Sequence, residues 1–182
     1  MQACIVITEE ELQQIVQLSQ QNNKTNVAED EKLSQGFISW NYSFELLKQM
    51  HALHPNVIVK DGNTLAGYAL VALKEAKQFH PDLATMIANL ETIYYVGKKL
   101  TEYNYYVMGQ VCVNKDYRGK GVFDMLYQYH KTLFKDKFHF VITEISATNY
   151  RSLRAHEKVG FKTIHTYKDA MDEWHVVLWD WQ

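Results

Sequence analysis

The chain has 182 residues, of which 47% are hydrophobic and 22% are charged, a composition typical of a single globular domain spanning residues 1–182. Its 19 Lys and Arg are balanced by 21 Asp and Glu, so it lacks the bulk positive charge of proteins that bind nucleic acid or anionic membranes. Cys4 and Cys112 form no CxxC pair, and there is no basic leader or long apolar run. We therefore expect a soluble, unexported cytoplasmic protein without a disulfide, metal, nucleic-acid partner or membrane partner.

The first quarter of the chain predicts one strand and two helices. Residues 3–7 are a short β-rich run, and Thr8 with Glu11 forms a capping box that opens the first helix. The polar stretch 20–30 is predicted to be a loop. A second helix over residues 43–54 carries apolar residues at helical spacing and ends before a proline.

The next part of the chain predicts a hairpin followed by an insertion. The turn sequence 61–63 (Asp-Gly-Asn) separates two apolar runs, 57–59 and 65–73, a pattern typical of two antiparallel strands. The segment 74–104 contains a helix that begins at Pro81 and then a tyrosine-rich connection. We interpret it as an insertion between two strands of the sheet.

The second half alternates strands and helices, with predicted strands at 105–113, 138–145, 162–167 and 174–181 and predicted helices at 119–135 and 149–159. This order predicts an α/β (α+β) fold, a mixed sheet covered by helices. No internal repeat or interdomain linker is visible.

The chain runs from a strand through Tyr117-Arg118-Gly119-Lys120-Gly121 directly into a helix. Backbone N–H groups at a helix start have no partner within the helix, and glycines let them approach an anion closely, so this turn can hold a phosphate. The alternative is that the glycines only make a tight turn. The pattern is neither a P-loop nor a dinucleotide-binding fingerprint.

Two motifs then point to a family. Residues 111–121 (Val-Cys-Val-Asn-Lys-Asp-Tyr-Arg-Gly-Lys-Gly) with Leu126 resemble the acetyl-CoA motif of the GNAT N-acetyltransferase superfamily, and Asn149-x-x-Ser152-x-x-x-His156-x-x-x-Gly160-Phe161 resembles its second cofactor motif. The resemblance covers residues 108–166. It implies a mostly antiparallel central sheet with one splayed pair of strands, and acetyl transfer from acetyl-CoA to a primary amine of a small molecule or peptide. The alternative is a catalytically weak acyl-CoA-binding sensor or interaction protein of the same fold.

The resemblance also implies which residues hold the cofactor. The splayed strand would offer main-chain hydrogen bonds to the pantetheine arm, and the glycine turn would take the pyrophosphate. Asn149 is a helix N-cap and a candidate polar contact. Phe123 departs from the family pattern, which has a small residue there, and puts the affinity for CoA in question. The implied cofactor-binding residues are Gln110, Val111, Cys112, Val113, Arg118, Gly119, Lys120, Gly121, Val122, Phe123, Asn149 and Ser152.

Acetyl transfer also needs a base, an oxyanion donor and a proton for the departing thiolate. By resemblance, a backbone N–H near Cys112 is the oxyanion donor, and His156 stands where the family often has a tyrosine acid. By resemblance, Val107 stands at the strand position where some relatives carry a glutamate base. Glu144 is then the nearest acidic candidate for the base, with an exposed strand carboxylate as the alternative interpretation of Glu144. Cys112 is interpreted as a buried strand residue and not as a nucleophile.

The acceptor site is the least defined part of the sequence. Trp40, Tyr42 and Tyr105 are candidates for an aromatic wall that stacks on a substrate or holds a cation, with packing in the core as the alternative. His51 and His54 lie three residues apart but have no acidic or thiol companion, so they predict no metal site. The sequence does not define the oligomeric state, and a homodimer is one of the states compatible with it.

Overall fold

The computed structural model describes residues 1–182, without the side chain of Leu33. Along these residues the strands are, in chain order, β1 (Gln2–Ile5), β2 (Val57–Asp61), β3 (Thr64–Ala72), β4 (Tyr94–Tyr95), β5 (Lys98–Lys99), β6 (Tyr105–Val113), β7 (Phe140–Ser146), β8 (Lys162–Lys168) and β9 (Glu173–Asp180). The helices are α1 (Glu9–Gln21), α2 (Glu29–Gln35), α3 (Phe44–Leu53), α4 (Pro81–Leu90), α5 (Val122–Phe134) and α6 (Tyr150–Val159).

Seven strands form one sheet in the order β1-β2-β3-β6-β7-β9-β8. Every neighbouring pair is antiparallel except β6 and β7, which are parallel. These two strands pair only where Tyr105–Val107 meets Phe140–Ile142, and beyond that point they separate. The mixed, mostly antiparallel sheet with a splayed pair is therefore confirmed.

Helices cover both faces of the sheet, because strand residues alternate between two apolar clusters. On β6, Tyr105 and Val107 belong to the cluster that contains α1, α3 and α4, whereas Tyr106 and Met108 belong to the cluster that contains α5 and α6. The β6 strand thus lies between the two layers of helices.

The segment 74–104 lies between β3 and β6. It consists of two short 3-10 turns, α4 and the small hairpin of β4 and β5. The α4 residues Leu83, Ile87 and Leu90 are buried, and Tyr95 and Tyr103 pack against Phe140 at the start of β7. The insertion therefore covers part of the α1-side face of the sheet.

The prediction of a loop over residues 20–30 is wrong at both ends. The α1 helix continues to Gln21, and the short helix α2 begins at Glu29. Its sequence has no apolar period, but three acidic residues in its first turn complement the helix dipole. Elsewhere the predicted elements are confirmed to within a few residues.

No helix within residues 1–182 combines the length and the apolar character needed to span a membrane.

Candidate active site

The glycine turn is built by backbone conformation. Gly119 and Gly121 have φ values of 76° and 78°, in the left-handed region that disfavours other residues, although a Cβ at either would meet nothing within 4 Å. Gly121 is the N-cap of α5 and no side chain caps the helix, so the first-turn amides point outward without a partner in the helix. The turn therefore has the backbone geometry that an anion-binding site requires, and we call it the seat.

The seat lies close to the sheet because of a third glycine. A Cβ at Gly67 on β3 would come within 2.8 Å of Val122 Cγ1 and within 2.9 Å of the Cys112 carbonyl oxygen. The missing side chain lets the start of α5 lie directly on β3 and β6. The glycine turn and the splayed strand therefore form one continuous surface.

The end of β6 has free backbone groups along the gap. Asn114 N donates to Ala66 O at 2.9 Å, so in the alternating antiparallel ladder Cys112 and Gln110 bond to β3. The N–H and C=O groups of Val111 and Val113 then point away from β3, where β7 no longer pairs. The gap thus presents unpaired main-chain donors and acceptors to whatever enters it.

A cleft of about 730 Å³ occupies this gap and runs over the glycine turn. It is lined by residues of β6, the glycine turn, the first turn of α5, the start of α6 and the segment 34–38. Ten of the twelve residues predicted for the cofactor lie along it, all except Gln110 and Lys120. The Gln110 side chain turns away, accepting from the hydroxyls of Ser19 and Tyr68 and donating to Trp40 O, and Lys120 Nζ lies 5.2 Å from the centre of the Tyr117 ring.

The outer wall of the cleft is positively charged. Arg151, Arg154 and Lys158 on α6 line it, in addition to Arg118 of the glycine turn. Cationic side chains beside a helix start favour a ligand with several negative charges. The chain carries a net charge of −2 overall, so this is a local concentration that composition did not predict.

Residues 29–38, which we call the roof segment, cross over the cleft and are fastened to both of its walls. Arg118 Nη1 lies 2.7 Å from Glu31 Oε1, and Arg118 Nη2 donates to Asn22 Oδ1 at 2.8 Å. On the other side, Asn149 Nδ2 donates to Phe37 O at 2.9 Å. Gly36 has a φ of 79°, and a Cβ there would come within 2.8 Å of Asn149 Oδ1.

Two predicted cofactor residues therefore have other partners in this structure. Asn149 is the N-cap of α6, as predicted, since its Oδ1 accepts from Ser152 N at 3.2 Å, while its amide group holds the roof segment. The guanidinium of Arg118 is held by Glu31 and Asn22. The Phe123 ring packs on Tyr127 and His156 at 4.9 and 5.1 Å between centres, so its bulk is partly accommodated between α5 and α6.

The candidate acid His156 is not placed for that role, which corrects the prediction. Its side chain is 2% exposed and does not line the cleft. Nδ1 lies 2.8 Å from the Ser152 carbonyl and must donate to it, so Nε2 accepts from the Tyr127 hydroxyl at 2.6 Å. Burial lowers the pKa of His156 to about 4, so the ring is neutral at pH 7. Neither nitrogen is available to protonate a thiolate in the cleft.

Glu144 is not an exposed strand carboxylate, which corrects the alternative interpretation. It pairs in register with Val176, a member of the α1-side cluster, so it lies on the face opposite α5 and α6. Its Oε1 is buried with no hydrogen-bond partner among the described residues. Burial raises the pKa of Glu144 to about 7, an effect that the neighbouring Tyr167 hydroxyl partly offsets and Asp169 reinforces.

The three aromatic candidates for an acceptor wall are differently placed. Tyr42 is buried and donates to Gly109 O at 3.1 Å, and Tyr105 is buried, stacked on Phe140 and covered by Lys74, so both are core residues and the prediction of a wall is wrong for them. Trp40 is partly exposed and packs edge-on against Tyr42 and His80.

Cys112 lines the cleft but is not an activated thiol. It is 8% exposed, and burial raises the pKa of its thiol to about 12. A nucleophilic cysteine needs a lowered pKa, so the interpretation as a buried strand residue agrees with the structure.

Sequence reasoning missed Glu31 and Tyr167. Glu31 belongs to α2, a helix that the sequence does not predict, and Tyr167 lies on β8, which β9 separates from Glu144 on β7. Neither residue carries a local pattern that could have identified it.

The comparisons with known proteins identify the family and agree with the fold. The model of the "Acetyltransferase (GNAT) family" matches residues 22–161. No curated protein sequence matches the chain.

Among solved structures, the ribosomal-protein-S18-alanine N-acetyltransferase from Escherichia coli superposes with a TM-score of 0.63 at 11% identity, covering 98% of this chain and 93% of that one. The ribosomal-protein-alanine N-acetyltransferase from Brucella melitensis gives 0.63 at 16% identity, covering 99% of both chains. The protein yncA from Salmonella typhimurium, solved with its cofactor acetyl-CoA, gives 0.62 at 12% identity, covering 100% of this chain and 95% of that one.

Proposed function

Since this chain belongs to the GNAT acetyltransferase family and is an acetyl-CoA-dependent N-acetyltransferase, we propose that it transfers the acetyl group directly to a primary amine of a small molecule or a peptide. The observation that carries this proposal is the cleft at the β6–β7 gap, with unpaired strand amides at one end and the glycine turn at the other. A buried carboxylate lies on the opposite face of the sheet, beside the same gap.

The cleft suits the chemistry of acetyl-CoA. The unpaired groups of Val111 and Val113 match the amides of a pantetheine arm, and the first-turn amides of α5 match a pyrophosphate. Arg151, Arg154 and Lys158 supply positive charge for the remaining phosphate. The cleft volume of about 730 Å³ lies within the usual range of cofactor sites.

Glu144 is the proposed base. A carboxylate with a pKa of about 7 is ionised often enough at neutral pH and is still basic enough to accept a proton from the attacking amine, directly or through one water. Tyr167 lies beside it, and its hydroxyl partly offsets the rise in the pKa of Glu144 that burial causes. Because Glu144 is on the α1-side face, the amine approaches from that side while the cofactor lies in the cleft.

In this proposal, the backbone stabilises the oxyanion and solvent supplies the proton to the thiolate. An unpaired N–H of β6, at Val111 or Val113, stabilises the oxyanion as the amine nitrogen bonds to the acetyl carbon. The carbon–sulfur bond then breaks, and the thiolate takes a proton from water, since both nitrogens of His156 are engaged. Cys112 forms no acyl intermediate.

A thiol-release screen with acetyl-CoA tests this proposal. The acceptor panel covers simple amines, amino acids, polyamines, aminoglycosides and peptides, and mass spectrometry identifies the acetylated nitrogen. We expect turnover with at least one class and a product acetylated on nitrogen. Thermal stabilisation by acetyl-CoA without turnover on any acceptor would contradict the proposal and favour a cofactor-binding sensor.

A further inference from the structure

We infer that Glu31 is an internal competitor for the phosphates of the cofactor: it occupies Arg118 in the free protein and thereby lowers the affinity of the cleft for acetyl-CoA. This inference rests on the proposed function, because it takes the glycine turn as the pyrophosphate seat. It adds a residue outside both cofactor motifs that sets how tightly the cofactor is held.

The geometry of Arg118 is the first observation. Its guanidinium lines the cleft beside the glycine turn, yet Nη1 is directed to Glu31 Oε1 at 2.7 Å and Nη2 to Asn22 Oδ1 at 2.8 Å. The Arg118 side chain is 20% exposed and that of Glu31 is 41% exposed. A phosphate at the seat must either share this guanidinium with a carboxylate or displace the carboxylate from it.

The roof segment is the second observation. Glu31 stands on one side of the cleft and the Phe37 carbonyl, held by Asn149, on the other, so the segment between them bridges the two walls. The left-handed Gly36 lies at the Asn149 contact and permits the close approach there. The backbone of Ile38 adds hydrogen bonds to Asn22 and Lys24 at the end of the segment. Releasing Glu31 from Arg118 therefore frees the attachment of the roof segment to the glycine turn as the phosphates arrive, while its other end stays held.

The charge of Glu31 also opposes cofactor binding without any movement. A carboxylate in contact with Arg118 cancels much of the positive potential that this arginine supplies to the seat, and its own field repels phosphate oxygens. Removing one such charge near an anion site typically changes the binding constant by about three- to tenfold at low salt, and by less when salt screens the interaction.

Titration calorimetry of acetyl-CoA into the full chain tests this inference. We expect Glu31→Gln to tighten binding about three- to tenfold at low salt, with a smaller gain at high salt. Glu29→Gln is the matched control: it removes the same charge from the same helix, but Glu29 pairs with Lys32 and not with Arg118. It should leave the affinity within about twofold of the wild type.

A double-mutant cycle assigns the effect to Arg118. In an Arg118→Gln background, Glu31→Gln should give less than half of its gain, expressed as a free energy, because no guanidinium is left to release. Unchanged or weaker binding by Glu31→Gln, or the same gain in both backgrounds, overturns the inference. Failure of the wild type to bind acetyl-CoA would instead overturn the proposed function.

Discussion

The two faces of the sheet contribute to the site in different ways. On the α5 and α6 side, the cleft is built from the backbone of one stretch of chain, with unpaired amides on β6 and at the start of α5. On the α1 side, the proposed base is a single side chain, Glu144, with Tyr167 beside it. A main-chain binding site leaves glycines and helix caps in the sequence, whereas a site of scattered side chains leaves no local pattern.

Of the substitutions that test this difference between the faces, Glu144→Gln should have the largest effect on the rate. It removes the proposed base while keeping the shape of the side chain, so we expect kcat/KM for the accepted amine to fall about a hundred- to ten-thousandfold. The affinity for acetyl-CoA should not change, because Glu144 lies on the opposite face. Glu157→Gln, at an exposed position of α6, is the control.

The pH profile gives the same test a second readout. The active form is the carboxylate, so in the wild type kcat/KM should rise with pH through about 7 and fall tenfold per unit below it. The variant should lose this limb. A variant that keeps both its rate and the limb would show that another group is the base.

Gly67→Ala tests the α5 and α6 side of the sheet, where the start of α5 lies close to the backbone of β3 and β6. The added Cβ would meet Val122 Cγ1 and the Cys112 carbonyl at less than 3 Å, and a backbone oxygen cannot easily yield. We expect the free energy of unfolding to drop by about 1–3 kcal/mol and acetyl-CoA binding to weaken. Urea denaturation and calorimetry measure the two effects.

Gly62→Ala is the control for that substitution, since its Cβ would meet nothing within 4 Å and only backbone strain is added, at the β2–β3 turn. It should leave cofactor affinity unchanged. Normal affinity in Gly67→Ala would mean that the α5 start need not lie on the strand.

Substitution of His156 tests whether the cofactor side of the sheet contains a general acid. Its folded-state pKa of about 4 lies below the ordinary value of 6.5, so its contribution to stability is present above pH 6.5 and is lost as pH falls toward 4. When the pH falls from 7 to 5, this histidine should lower the free energy of unfolding by about 2 kcal/mol. His156→Phe should remove that part of the pH dependence in urea denaturation.

Turnover decides the catalytic question for the same residue. We expect kcat of folded His156→Phe to stay within about tenfold of the wild type, because a lost general acid typically costs a hundredfold or more. Tyr127→Phe, which removes only the hydroxyl that donates to His156, should keep the pH dependence of stability. A much larger loss of kcat with unchanged cofactor affinity would restore His156 as the acid.

Arg154→Gln should have the smallest effect. The side chain is exposed on α6 and lines the cleft, so one screened contact to a cofactor phosphate is lost. We expect the Kd for acetyl-CoA to rise about two- to fivefold at low salt and by less at high salt. Lys162 is an exposed cation on β8, so Lys162→Gln is the control that removes the same charge outside the cleft. An equal rise in the Kd for acetyl-CoA in this variant would indicate a general change in the electrostatic potential of the protein and not a lost contact.

The difference between the faces also explains what the sequence could predict. The strand, glycine turn and helix at 105–134 are encoded by neighbouring residues, and their positions are confirmed. The α2 helix was missed because a polar segment held by Arg118 and Asn149 has no apolar period of its own. Its partners lie more than eighty residues away in the chain.

Burial could not be predicted for the titratable residues. Glu144 has the alternating neighbours of an ordinary strand, and its buried oxygen depends on the packing of distant elements, including Tyr167 of β8. His156 occupies the motif position of an acid, but the Tyr127 hydroxyl, which reaches it from α5, fixes its ring in the interior. In both cases the pKa follows from tertiary packing, which a motif does not contain.

The short parallel contact between β6 and β7 gives the cofactor a structural role. The amides of Val111 and Val113 belong to a central strand, yet they face a gap and should exchange with solvent deuterium as readily as those of a sheet edge. An acetyl-CoA arm bonded to them would fill the place of a missing strand. The enzyme would then complete its own sheet at every turnover and open it again when the product leaves.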